Sequence, residues 1–135
     1  MRDASIWLAV VTGGATGAVL RGLVYRAIER WSPAESGGRL ATFGASRATV
    51  IVNIAGSFLL GLVVGALPPP TSQASAPLLA FWVTGLCGAV TTFSTLCADA
   101  IGHARNGDRV HLTAVVFSNA LLGVAALVLG LQIMR

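Results

Sequence analysis

Long apolar runs separated by short polar stretches dominate this sequence. A membrane-spanning helix needs about 20 consecutive apolar residues, and four runs meet this need, at about residues 6–25, 49–67, 76–98 and 112–134. The last three runs carry no charged residue, and the first has Arg21 near its end. The pattern predicts one four-helix membrane domain over residues 1–135.

Polar segments connect the predicted helices. Residues 31–47 form a link that contains glycine, serine and arginine. Pro68 begins a run of three prolines, which ends the second helix because proline cannot continue the helical hydrogen bonds. Residues 102–111 form the last connection, and we expect its charged groups and its two histidines, His103 and His111, to be solvated.

The composition excludes several classes of protein. Hydrophobic residues make up 55% of the chain and charged residues 10%, whereas a soluble domain carries about 25% charge. The net charge of +4 comes from scattered arginines, without the basic stripe and interleaved aromatic residues of a nucleic-acid-binding surface. We therefore expect a multi-pass plasma-membrane protein in a lipid bilayer, with no enzymatic activity and no nucleic-acid partner.

Small residues recur four positions apart within the predicted helices. The pairs are Gly13 with Gly17, Ser57 with Gly61, and Gly61 with Gly65. Such spacing lets helix backbones approach closely in a membrane. A four-helix unit of this size is too small to enclose a wide pore, so a conduction path must be narrow or lie between subunits.

The third run contains its own irregularity. Residues 85–96 read GLCGAVTTFSTL, which combines two glycines with a cluster of hydroxyl side chains. Glycine inside a helix costs about 1 kcal/mol relative to alanine, and hydroxyl groups that bond to backbone carbonyls bend helices. Two structures are consistent with this pattern. One is a broken helix whose freed carbonyls form a cation site at the midplane, and the other is a kinked but complete helix.

Few polar side chains lie within the runs. Asn53 lies in the second, and Ser118 and Asn119 lie in the fourth. Amide groups in hydrocarbon usually face the interior of the bundle, so we expect contacts between helices here. Arg21 either extends to the interface or attracts an anion into a vestibule.

Three motifs resemble those of the CrcB/Fluc fluoride channel family. Residues 13–21, GGATGAVLR, are similar to its GGxxGAxxR, and residues 49–61, TVIVNIAGSFLLG, to its TLxVNxxGSFLLG. Residues 85–95, GLCGAVTTFST, resemble its GxxGxxTTFST, and Ser118 and Gly123 fit its looser fourth-helix pattern. The resemblance covers the whole chain, and the combination of these motifs is specific.

The resemblance implies an all-α integral membrane protein with a broken third helix, assembled as an inverted, antiparallel dimer with two narrow pores. Backbone carbonyls of Gly88 and Thr91 from both subunits would hold a structural Na⁺ that is not transported. The implied fluoride pore consists of the ring edge of Phe93, the Asn53 amide and the hydroxyls of Ser94, Thr95 and Ser118. Arg21 would lie toward the vestibule.

The function implied by the resemblance is a fluoride-selective channel that lowers cytoplasmic fluoride by passive efflux. Fluoride is strongly hydrated, so its pore must replace the lost water with hydrogen-bond donors and with the electropositive edge of an aromatic ring. A small multidrug-type proton antiporter is the alternative, although the central parts of the runs hold no carboxylate and Glu29 lies close to the polar link. A non-conducting partner subunit of a heterodimer is a further alternative.

The sequence departs from the family pattern at three positions. Leu96 replaces the usual phenylalanine, Asp99 replaces a glutamate and is expected to cap or pair at a helix end, and Ala114 replaces a tyrosine.

The arginines are unevenly distributed between the two sides of the membrane. Leaving out Arg21, two lie on the side of the termini and six on the opposite side, which by the positive-inside rule puts both termini outside. The partner is therefore either a second copy or an oppositely oriented paralogue.

Overall fold

The computed structural model describes residues 2–31, 39–67 and 75–135, and the described residues form helices and turns without a strand. The helices, in chain order, are α1 (Arg2–Trp31), α2 (Arg39–Ala66), α3 (Ser75–Leu79), a π-helix (Ala80–Cys87), α4 (Gly88–Val90), α5 (Phe93–Arg105) and α6 (Arg109–Ile133). Within the described residues, four segments are long and apolar enough to cross a membrane: Asp3–Ile28, Ser46–Ala66, Ser75–Arg105 and Arg109–Ile133.

The helices extend beyond the apolar runs that predicted them. Helix α2 begins at Arg39, so the link predicted over residues 31–47 is shorter in the structure. The reason is that an apolar run marks only the length of helix that lies within the membrane, whereas helical hydrogen bonding continues into the polar sequence beyond it. Residues 32–38 of the link and the proline run at 68–70 lie outside the described residues.

The third span is divided into several helical pieces. Its π-helix is followed by the short α4, and then Thr91 (φ −74°, ψ 150°) and Thr92 (φ −146°, ψ 112°) are extended. Helical geometry resumes at Phe93. Extended residues cannot continue the i to i+4 hydrogen bonds of a helix, so the neighbouring backbone groups need other partners.

Glycines let two pairs of helices pack backbone against backbone. Helix α2 packs on α6, where a Cβ added to Gly130 would lie 2.5 Å from the Phe58 carbonyl oxygen. Helix α1 packs on the π-helix, where a Cβ on Gly17 would lie 2.5 Å from the Leu86 carbonyl oxygen. A Cβ on Gly61 would clash with α6 in the same way, so the close approach predicted from the small-residue spacing is confirmed.

The interior is small and partly polar, and the exterior is apolar. Val52 and Thr49 are the largest fully buried side chains, and the polar side chains of Ser46, Asp99 and His103 are also buried. Large apolar side chains such as those of Trp7, Val11, Leu121 and Val124 are exposed. In lipid this exterior has no aqueous solvent to avoid, so interhelical packing and hydrogen bonds hold the bundle together.

Candidate ion-permeation site

The Asn53 side chain of α2 binds both backbone groups of Thr92. Its Oδ1 accepts from the Thr92 N–H at 2.7 Å, and its Nδ2 donates to the Thr92 carbonyl at 3.2 Å. Nδ2 also donates to Oδ1 of Asn119 at 2.8 Å, and Asn119 itself is oriented by donating to the Val115 carbonyl at 2.9 Å. The amide of Asn53 thus supplies the partners that Thr92 loses by being extended.

The hydroxyl of Thr92 caps α5. Its Oγ1 accepts from the Thr95 N–H at 3.2 Å, and it lies 2.8 Å from the Thr95 hydroxyl and 3.3 Å from the Ser94 hydroxyl. Three hydroxyls therefore gather at the N-terminus of a helix, where the exposed N–H groups and the helix dipole favour negative charge. The predicted pore residues Ser94 and Thr95 are brought together here.

These bonds also redirect the donors that a continuous helix would give to Gly88 and Thr91. In an α-helix the Thr92 N–H would bond to the Gly88 carbonyl, and the Thr95 N–H would bond to the Thr91 carbonyl. Here the first donates to Asn53 and the second to the Thr92 hydroxyl. The two carbonyls predicted to bind Na⁺ are therefore among those that lose their helical donors at this interruption, and their oxygen chemistry fits such an ion.

Phe93 is the first residue of α5 and projects away from the chain. Its side chain is 78% exposed. It lines a cavity of about 550 Å³ together with Asn53, Gly56, Leu96 and Asn119, among other residues. Leu96 follows Phe93 by one helical turn, so the aliphatic side chain that departs from the family pattern lies at the same cavity.

Arg21 lies in a second, open groove between α1 and the start of α5. The groove has a volume of about 350 Å³ and is lined by Ala18, Arg21, Gly22, Tyr25, Thr92, Ser94 and Thr95. Thr92 lines both this groove and the cavity at Phe93. Arg21 and the residues of the hydroxyl cluster thus line one groove, and a cationic residue beside hydroxyl groups suits an anion.

Ser118 lies apart from the other predicted pore residues. It is half-buried on α6 and lines neither the groove nor the cavity, whereas its neighbour Asn119 lines the cavity and bonds to Asn53. Sequence reasoning gave Asn119 only a general packing role. Adjacent helical residues point about 100° apart, so the Ser118-Asn119 pair signalled a polar contact without identifying which member makes it.

Asp99 is buried within α5 and does not cap a helix end. Its Oδ2 accepts a hydrogen bond of 2.7 Å from the hydroxyl of Thr49. Of the two expectations, capping or pairing at a helix end, Asp99 has a hydrogen-bond partner in Thr49, but it lies inside α5, because α5 continues to Arg105, well beyond the predicted end of the third run at residue 98. The third span therefore carries a carboxylate that the apolar runs did not include.

The prediction that His103 is solvated is wrong. His103 is 3% exposed, and its Nε2 lies 3.1 Å from the Ser46 hydroxyl. The turn between α5 and α6 folds His111 over it, so the two rings stack with centroids 5.7 Å apart. Helix α5, which continues to Arg105, packs on α2 and places the imidazole of His103 beside the Ser46 hydroxyl.

Asp108 organises the turn between α5 and α6. It lies 2.6 Å from Nδ1 of His111 and accepts from the His111 N–H at 3.2 Å, which caps α6. The hydrogen bond from the His111 side chain is the main reason that the pKa of Asp108 is lowered. A lowered pKa in the folded state means that Asp108 stabilises the fold at neutral pH, and that this contribution is lost as the pH falls through the lowered value.

Comparison with known sequences identifies the family. The profile described as "CrcB-like protein, Camphor Resistance (CrcB)" matches residues 8–131. The chain belongs to the CrcB family. A relative of this CrcB chain is the fluoride-specific ion channel FluC 1 of Frankia casuarinae, with 36% identity over 132 residues that cover 96% of this chain and 95% of the relative.

Two further relatives carry a similar name. The fluoride-specific ion channel FluC of Chlorobium luteolum is 37% identical over 124 residues, 92% of this CrcB chain and 88% of its own length. That of Nitrobacter winogradskyi is 34% identical over 128 residues, 95% of this chain and 94% of its own length. Together with the four apolar segments, family membership makes this chain a multi-pass plasma-membrane protein.

Replacing Thr92 by valine tests the cap of α5. Thr92→Val keeps the shape of the side chain but removes the acceptor for the Thr95 N–H, so we expect the free energy of unfolding to fall by about 1 kcal/mol. Thr113→Val is the matched control, because the Thr113 hydroxyl bonds to carbonyls of Arg109 and Val110 in its own helix. Unfolding in detergent measures both variants, and equal losses would contradict the cap.

Proposed function

We propose that this chain forms a fluoride-selective channel that lowers cytoplasmic fluoride by passive efflux, without catalysis. The observation that carries the proposal is the extended Thr91–Thr92 pair, held by Asn53 and followed at once by the exposed ring of Phe93. The relatives named above, similar over nearly their whole lengths, have names that specify fluoride. The polar site alone indicates an ion path, and the names of these relatives are the reason that the proposal specifies fluoride.

The chemistry of the site matches what fluoride requires. A small, strongly hydrated anion enters a narrow path only if the path replaces its water with donors. The positive charge of Arg21 would concentrate anions in the groove. The hydroxyls of Ser94 and Thr95 and the N-terminus of α5 would then offer donors, and the ring edge of Phe93 would offer a weak positive potential beyond them.

Asn53 has two roles in this proposal. Its amide hydrogens already donate to the Thr92 carbonyl and to Asn119, so its first role is to hold the interruption of the helix. Its second role would be to donate to the permeating ion, because a fluoride ion beside Asn53 would share the amide hydrogen that Asn119 now accepts. Asn119 therefore joins the proposed pore, while the assignment of Ser118 to a polar track has less support.

The proposed assembly is an inverted dimer in which the broken third spans cross at the membrane midplane and two pores run along the interface. In the isolated chain, Gly88 and Phe93 are exposed next to the polar site. An exposed glycine and an exposed aromatic ring beside the half-buried amides of Asn53 and Asn119 suit contact with another subunit better than contact with lipid.

We also propose that Na⁺ is held at the centre of this dimer by the carbonyls of Gly88 and Thr91 from both subunits. The support is that the helical donors of both carbonyls are used by Asn53 and Thr92. Bound there, the ion would supply a fixed positive charge that favours anions nearby. Its role would be structural, and it would not be transported.

A proton-coupled antiporter remains the second candidate, because Asp99 lies inside the third span. A coupled carrier needs a carboxylate that exchanges its proton with water on each side of the membrane. Asp99 is buried and accepts a hydrogen bond from Thr49, which favours the passive channel.

The decisive experiment measures fluoride release from liposomes with a fluoride electrode. The wild-type protein should release fluoride down its own gradient, with chloride retained and with no imposed proton gradient. Release that requires a proton gradient would instead favour the antiporter. Absence of fluoride release under both conditions would overturn the proposed function.

Phe93→Ile should lower this flux about tenfold, because an aliphatic side chain lacks the positive ring edge. Phe117→Ile is the matched control, since Phe117 is an exposed phenylalanine on α6 that lines neither the groove nor the cavity. Asn53→Asp should act in the same direction by adding negative charge to the path. Unchanged flux in a folded Phe93 variant would remove the ring from the pore.

Removing Na⁺ tests the proposed cation site. With a large organic cation in its place at the same ionic strength, the dimer should melt at a lower temperature, because a ligand that binds only the folded state stabilises it. Replacing Na⁺ with K⁺ serves as a control for the selectivity of the site. Identical melting curves in all three salts would contradict a structural Na⁺.

Leu96 supports a heterodimer over a homodimer. It lines the cavity at Phe93 in place of the expected aromatic ring, and the uneven distribution of arginines favours one orientation of this chain. Fluoride flux from this chain alone should therefore be lower than flux after co-expression with an oppositely oriented paralogue. Equal flux in the two preparations would contradict the heterodimer.

A further inference from the structure

A second polar chain links three helices beside the groove. The Tyr25 hydroxyl of α1 lies 3.0 Å from the Thr49 hydroxyl of α2, which donates to Oδ2 of Asp99 in α5 at 2.7 Å. Thr49 is fully buried, and Asp99 is 9% exposed. These three residues connect the proposed anion path to the carboxylate in the third span.

The direction of the hydrogen bonds follows from the donors available. A carboxylate only accepts, and a hydroxyl carries a single proton. Since Thr49 donates that proton to Asp99, the bond between the two hydroxyls has Tyr25 as its donor. The two bonds therefore run in one direction, from the Tyr25 hydroxyl through the Thr49 hydroxyl to the carboxylate.

Tyr25 belongs to the wall of the groove, whereas Asp99 does not. Arg21 and Tyr25 are one helical turn apart and both line it, opposite Thr92, Ser94 and Thr95. We propose that Tyr25 is a positioning residue of the anion path: through Thr49 it holds the carboxylate of Asp99 against α2 and away from Arg21. This inference rests on the proposed function, because fluoride flux is its readout.

The physical reason is the sign of the charges. Arg21 is the cationic side chain of the groove, and a carboxylate free to turn toward it would compete with an incoming anion for the guanidinium. A tyrosine hydroxyl that orients Thr49 removes the competitor without adding a charge of its own.

A double-mutant cycle in fluoride-loaded liposomes tests the proposal. Tyr25→Phe removes one hydroxyl and should lower fluoride flux roughly threefold to tenfold, the range that one hydrogen bond supports. In an Asp99→Asn background, where no charge can reach Arg21, Tyr25→Phe should have no effect on flux. Thr16→Val is the control for a lost hydroxyl in α1, because Thr16 donates to the Thr12 carbonyl of its own helix at 2.8 Å.

The cycle separates positioning from simple structural damage. Equal loss of flux in both backgrounds would show that Tyr25 acts independently of Asp99 and would overturn the proposal, as would unchanged flux for Tyr25→Phe itself. Thr49→Val breaks the same chain at its centre and should show the same dependence on Asp99, which keeps the test decisive if Tyr25→Phe does not fold. Failure of the proposed function would appear separately, as wild-type protein that releases no fluoride.

Discussion

A backbone N–H and carbonyl that leave a helix inside an apolar layer must find partners within the protein, and Asn53 provides them for Thr92. Without such a partner each group would cost several kcal/mol in lipid. The amide satisfies both at 2.7 and 3.2 Å. The interruption at Thr91 and Thr92 therefore depends on a side chain of a different helix.

The other features of the site depend on the same pairing. Because the Thr92 backbone is bound by Asn53, the Thr92 hydroxyl is free to cap α5. The cap in turn uses the Thr95 N–H, which leaves the Thr91 carbonyl without its helical donor. The helix begins again at Phe93, and the ring of this residue is exposed on the surface of the chain. One pair of hydrogen bonds thus positions donors, carbonyls and an aromatic edge together.

One face of α2 carries the polar contacts of the bundle. Ser46, Thr49 and Asn53 follow the spacing of a single helix face, and they bond to His103, Asp99 and Thr92 respectively. All three partners lie on α5 or at its start, so α2 holds the second half of the third span at three successive depths. Glycines serve the other faces, where α2 meets α6 and α1 meets the π-helix.

The sequence predicts the four apolar runs, the spacing of the small residues and the family motifs, because each is a local property of composition or spacing. The same local view also explains the errors. The polar neighbours of His103 in the sequence predict a solvated side chain, yet His103 lies in α5, whose packing on α2 places it beside Ser46. Asp99 was expected at a helix end because the apolar run stops before it, yet α5 continues past it.

The amino-acid order by itself determined that this is an all-helical membrane protein of the CrcB family, since lipid requires apolar stretches of helical length and the motifs are contiguous. Only the tertiary structure decided which polar groups meet: Asn119 with Asn53 instead of Ser118, and Tyr25 with Thr49 across two helices. The physical reason is that such contacts depend on the rotation and relative depth of separate helices, which packing of the whole bundle sets and no local pattern encodes.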